Sequence, residues 1–169
     1  MPEKDLKRMD EELKSAEAGQ RRIAVEAMAG KGGESAAPFL VEALKDSDPE
    51  IRAMAARGLA RLGRSGLPFI EKALADPDPR SRAMAAYALG ELQRGISMPF
   101  LIRTLEDPEE EVRRQAARAL VRLGADAVRA VVDLLDNDSV PARIMAARAL
   151  GYLGPEGSSA IPALGRALS

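Results

Sequence analysis

One nine-residue segment returns at a fixed interval along this chain. Ile51-Arg52-Ala53-Met54-Ala55-Ala56-Arg57-Gly58-Leu59 recurs as Ser81-Arg82-Ala83-Met84-Ala85-Ala86-Tyr87-Ala88-Leu89. It recurs again as Val112-Arg113-Arg114-Gln115-Ala116-Ala117-Arg118-Ala119-Leu120 and as Ala142-Arg143-Ile144-Met145-Ala146-Ala147-Arg148-Ala149-Leu150. A weaker copy runs from Gln20-Arg21 to Met28. The arginine column is Arg21, Arg52, Arg82, Arg113 and Arg143, at intervals of 31, 30, 31 and 30. A leucine column, Leu13, Leu44, Leu74, Leu105, Leu135 and Leu168, steps by 31, 30, 31, 30 and 33. A period of this size marks units that stack on one another.

Each unit reads as two helices. Ile51, Ala55, Leu59 and Leu62 fall at i, i+4, i+8 and i+11, one face of a helix. Asp48-Pro49-Glu50 supplies an N-cap, a first-turn proline and an acid at the positive helix end. Asp78-Pro79 and Asp107-Pro108 repeat that signal, and Gly63, Gly124 and Gly154 end the first helix. In the second helix Leu67, Ile70 and Leu74 fall at i, i+3 and i+7. Neither helix can hide its apolar face alone, so neighbours must stack. The expected fold is all-α, a right-handed α/α solenoid forming one domain over 1–169. The predicted parts are a cap over 1–15 and repeats over about 16–45, 46–75, 76–106, 107–135 and 136–169. The first helix carries Leu6, Met9 and Leu13 on one side and charges elsewhere, as a polar cap requires. The closing helix over 158–168 has no such polar outer face, which leaves end-to-end self-association open.

Composition excludes several chemistries. The chain has no Cys and no His, so zinc, haem and iron–sulfur ligation and the common nucleophile–base pairs lack their residues. Net charge is −1, which argues against a dedicated nucleic-acid binder. No apolar run approaches the roughly 20 residues that cross a bilayer, so no membrane partner is expected. A cytoplasmic setting follows from these readings. Gly30-Lys31-Gly32-Gly33 lacks the spacing of a phosphate loop and reads as an inter-helix turn. No cofactor, metal site or catalytic constellation is expected.

The run Asp-x-(Val/Ile)-Arg-x-x-Ala-Ala-x-x-Leu, followed by Gly, Pro and a closing Leu, resembles the HEAT-like repeat of the phycobilisome-lyase type. The resemblance spans almost the whole chain. It extends to artificial proteins built on a consensus of that repeat, although here Gln93 replaces a loop glycine and the loop 154–157 is longer. It implies a scaffold more often than a catalyst. It also implies that the second helices line a concave face whose exposed columns meet partners. A chromophore-lyase-like subunit gripping a small ligand is the alternative it allows, as is an engineered module without a native ligand. The family's hydroxylase activity needs His-Glu motifs that this chain lacks.

Helical angles then select the candidate contact residues. About 140° from the core leucine lies the column Arg8, Phe39, Phe69, Phe100, Ala130, Ala163, which holds all three phenylalanines of the protein. About 160° away lies Glu11, Glu42, Lys72, Arg103, Asp133, Arg166. Phe39, Phe69, Phe100, Lys72 and Arg103 are the leading candidates for a protein or peptide partner, with Glu42, Arg129, Asp133 and Arg166 beside them. The rings could equally be filler between neighbouring second helices. The arginine column faces aspartates at helix ends and reads as a ladder tying each repeat to the next. Met54, Met84 and Met145, with Ile23, read as inter-repeat packing. Arg57, Tyr87, Arg118 and Arg148 read as a solvated, charge-mixed, convex outer face of the first helices.

Overall fold

The computed structural model describes residues 3–153, apart from positions 32, 93, 137 and 139. Among these residues the regular structure is helical, without strands. The helices are α1 (Glu3–Leu13), α2 (Ala18–Lys31), α3 (Ala37–Ala43), α4 (Pro49–Arg61) and α5 (Leu67–Leu74). They continue as α6 (Pro79–Glu91), α7 (Arg94–Thr104), α8 (Glu110–Leu123), α9 (Ala125–Asp133) and α10 (Val140–Leu153). The first helices of the repeats are α2, α4, α6, α8 and α10. The second helices are α3, α5, α7 and α9, and α1 stands alone as the cap, packed on α2. This is the α/α solenoid that the periodicity requires. The closing helix expected over 158–168, and with it Arg166, lies outside the described residues.

Local chemistry sets the helix ends. Asp48 and Asp78 have extended backbones, and their carboxylates accept from Glu50 N–H and Arg80 N–H. Each is followed by a proline in the first turn, whose missing N–H costs nothing there. Between first and second helices runs a short 3-10 turn, Gly33–Ala36 and Gly63–Gly66. Gly63 enters that turn with φ at 60°, a backbone conformation that suits glycine. The third repeat departs from this pattern. Its α7 begins at Arg94, so Pro99 lies inside the helix, whereas Pro38 and Pro68 stand in the first turns of α3 and α5. The helix takes up the stretch that its counterparts spend on the 3-10 turn.

One continuous apolar core runs between the two helix layers. Met28, Leu40, Leu44, Ile51, Leu59, Ile70, Leu89, Leu101, Leu120 and Leu135 are fully buried within it. Alanine fills the rest of the first-helix contacts: Ala55, Ala56, Ala85, Ala86, Ala116 and Ala117 are all inaccessible. A Cβ built on Gly58 would stand 2.8 Å from Ala29 Cβ, and one on Gly90 would stand 2.9 Å from Ala119 Cβ. The first helices therefore meet almost backbone to backbone. The second helices, with Phe and Leu in the same roles, touch each other far more sparsely.

The first helices therefore form the more closely apposed layer, and the candidate contact residues stand on the second-helix layer.

Gly90→Ala should lower unfolding stability by about 1–3 kcal/mol, because the new methyl meets Ala119 backbone as well as side chain. Gly30→Ala, in α2 with open space around its Cα, should raise it by up to about 1 kcal/mol. Urea unfolding of both variants checks the pair.

Candidate functional site

The junctions between repeats account for the most buried charges. Arg21 Nε donates to Asp46 Oδ2 at 2.8 Å and its Nη2 to Asp46 Oδ1 at 3.0 Å. Arg82 grips Asp107 in the same two-pronged way, at 2.7 and 3.0 Å. In both, the remaining Nη1 donates to two carbonyls of the preceding loop, Ser15 and Ala16 for Arg21, and Asp76 and Pro77 for Arg82. Arg52 and Arg113 hold their own loop carbonyls likewise. They do not reach across to the next aspartate. Lys45 takes that place at Asp76, at 3.0 Å, and Arg113 instead lies over Tyr152. The Arg–Asp ladder is therefore present at two junctions and replaced at two others. Lys45 escaped the sequence reading, which followed the arginine column. Its position immediately before Asp46 was the available signal.

The aspartates also organise the loops. Asp46, Asp76 and Asp107 accept from the N–H two residues on, at Asp48, Asp78 and Glu109. Burial pushes the Asp46 carboxyl up, but the Arg21 fork, the Asp48 N–H and the Arg21 charge together hold it below its ordinary value of 3.8. Asp76 is likewise lowered: its burial is outweighed by the Asp78 N–H and Lys45. Arg21 and Arg82 are raised by their bonds to Asp46 and Asp107. These charges are committed to holding repeats together.

The candidate contact residues lie on α3, α5, α7 and α9. Phe39, Phe69 and Phe100 are half-buried, with their inner edges against the core. Glu42, Lys72, Arg103, Arg129 and Asp133 are exposed. Glu42 is 3.5 Å from Lys45, and the Arg103 guanidinium stands 5.9 Å above the Phe100 ring. The rings are thus partly stack filler and partly surface. A cavity of about 320 Å³ between α5 and α7 is lined by Glu71, Leu74, Arg103, Thr104 and Glu106. Arg103 is the one leading candidate that borders it.

A second concavity went unremarked in the sequence. It spans α4, α6 and α8 on the first-helix side, with a volume of about 590 Å³. Ala53, Ala83, Met84 and Tyr87 form its apolar part. Met54 and Met84 pack on the core as expected of gap-fillers, while Ile23 of the same column is 64% exposed. The side chain of Met145 lies outside the described set.

Comparison with known proteins places this geometry. The HEAT-repeat family model matches residues 9–69 and 66–151, and a PBS lyase HEAT-like repeat model matches 142–169. The chain belongs to the HEAT-repeat family. No curated protein matches it. Among solved structures, the complex of CpcE and CpcF of phycocyanin lyase from Nostoc sp. PCC7120 is 22% identical, with a TM-score of 0.56. That alignment covers 86% of this chain and 98% of the other. An engineered protein is 26% identical over 96% of this chain and 85% of its own, with a TM-score of 0.43. A designed armadillo repeat protein in complex with the peptide (KR)4 is 20% identical, covers 95% and 90%, and has a TM-score of 0.45. The lyase likeness shows a shared fold. No helix among the described residues is long and apolar enough to cross a membrane.

The lowered carboxyls set a pH dependence. A group whose acidity rises on folding stabilises the fold above its unfolded pKa and loses that contribution as pH falls through the folded value. Stability from Asp46 and Asp76 should therefore be constant near neutrality and drain away below about pH 4. Asp46→Asn should cost about 1–2 kcal/mol at pH 7, as the cost of weakening a charge-assisted bond. It should also flatten the acid limb. Thermal unfolding of both proteins from pH 3 to pH 7 checks the sign.

Proposed function

We propose that the chain is a non-enzymatic scaffold that binds a protein or peptide partner through surfaces held rigid by the stacked repeats. The observation that carries this reading is the register of exposed side chains on the second helices. Glu42, Lys72, Arg103 and Asp133 stand one per repeat, each exposed, beside a row of half-buried rings. Their backbones are fixed by the core beneath them, so a partner meets groups whose spacing is already set. Such pre-organisation lowers the ordering cost of binding. Half-exposed phenylalanines add area with few rotatable bonds.

The contact surface in this reading is Phe39, Phe69 and Phe100 with Lys72 and Arg103, flanked by Glu42, Arg129, Asp133 and Arg166. In this reading the second helices form the concave face, and the surface lies on it.

A charge-reversed double variant, Lys72→Glu with Arg103→Glu, tests the assignment without emptying the core. Immobilised wild type should retain at least one protein from a cell extract that the variant releases, while both keep the same helical circular dichroism. Identical captured sets would remove these residues from the function. A change in bilin absorbance on mixing with the chain would turn the reading toward a lyase-like subunit.

A further inference from the structure

The first-helix side carries a charge imbalance that ion pairing leaves behind. Arg22 is matched to Glu50, Arg114 to Glu110 and Glu111, and Arg122 to Glu91. Arg57, Arg61, Arg118 and Arg148 have no hydrogen bond, ion pair or ring contact among the described residues. On the same side Glu26, the unpaired acid of α2, lines an adjoining depression with Glu50, Arg57 and Arg61, and Glu109 and Glu111 line the groove beside Arg118. Three of the four free arginines, Arg57, Arg118 and Arg148, occupy the same position in the second, fourth and fifth repeats. The repeat between Arg57 and Arg118 puts Tyr87 there instead, half-buried in the floor of the groove, with the Arg122 guanidinium 4.9 Å over its ring. Arg122 is tethered by Glu91, so it walls the ring rather than swinging free.

We propose that this groove binds an extended acidic segment of a partner protein, with one apolar side chain seated against Ala83, Met84 and Tyr87. Free guanidiniums on either side of an apolar floor complement carboxylates on either side of an apolar residue. The geometry also fixes the spacing. Packed helices stand about 8–10 Å apart, and an extended chain rises about 3.3 Å per residue, so one repeat matches about three residues. The segment therefore carries an acid for Arg57, an apolar residue three places on for Tyr87, and acids three and six places beyond that for Arg118 and Arg148. Glu26 holds the same position in the first repeat and repels a further acid beyond Arg57, which sets where the segment ends.

The probe is a fluorescein-labelled decapeptide with Glu in its first, seventh and tenth places, Leu in the fourth and Ser elsewhere. Its anisotropy is titrated with the full chain at low salt. It should bind at least about tenfold more tightly than the same peptide with Gln for Glu, the scale of two or three exposed charge pairs. Arg118→Glu should weaken it about tenfold, and Arg57→Glu with Arg118→Glu should abolish the preference over the Gln peptide. Arg64→Glu, an exposed arginine in the turn after α4, should leave it unchanged. Equal binding of the two peptides overturns the proposal. So does equal loss in Arg64→Glu and Arg118→Glu, which would mean general charge attraction, or tighter binding of an oligonucleotide of the same charge. None of these results bears on the second-helix surface, which Lys72 and Arg103 test separately.

Discussion

The near-contact of first-helix backbones is the constraint from which the remaining architecture follows. Gly58 against Ala29 and Gly90 against Ala119 leave no space for a single added methyl. Dispersion attraction falls off quickly with a gap, so small side chains here bring whole helices into range of each other. Large apolar side chains from both layers, Ile51, Leu59 and Leu89 from first helices and Leu40, Ile70 and Leu101 from second helices, fill the core between them.

The arginine column works with that packing rather than beside it. Each arginine stands at the start of a first helix, where loop carbonyls and a neighbouring carboxylate converge. Its planar fork can satisfy both at once, which a lysine cannot do. Where the reach to the next repeat is made by Lys45 instead, Arg52 keeps only the carbonyl half of the task. The separation shows two jobs in one residue: closing its own loop, which the described arginines share, and clamping the neighbour, which any cation can take over.

Much of this was legible in the sequence because it is local and periodic. The helix starts at Asp48 and Asp78, the buried faces, the polar cap and the Arg–Asp pairing all follow from residue types at short spacing. The state of the phenylalanines was not legible. An angle of about 140° from the core is a flank, and whether a flank is covered depends on how far away the next second helix stands. Here the spacing leaves each ring half-buried, so it joins packing and surface. Lys45 was missed because a column of arginines drew the reading past the one junction that uses a different cation.

The two faces differ in what pairing has left free. At the junctions, burial makes every charge find a partner, because an uncompensated one would be costly in low dielectric. On the second-helix side the exposed column Glu42, Lys72, Arg103, Asp133 holds two acids and two cations, so it carries no net charge. On the first-helix side the pairs are made along or between first helices, and what remains is mostly guanidinium. A net charge of −1 for the whole chain conceals this, since the balancing acids are spread over helix starts, junctions and the second-helix side. Repetition concentrates the remainder: a position left unpaired in one repeat recurs one step on, so an excess that would be incidental on a globular surface becomes a row.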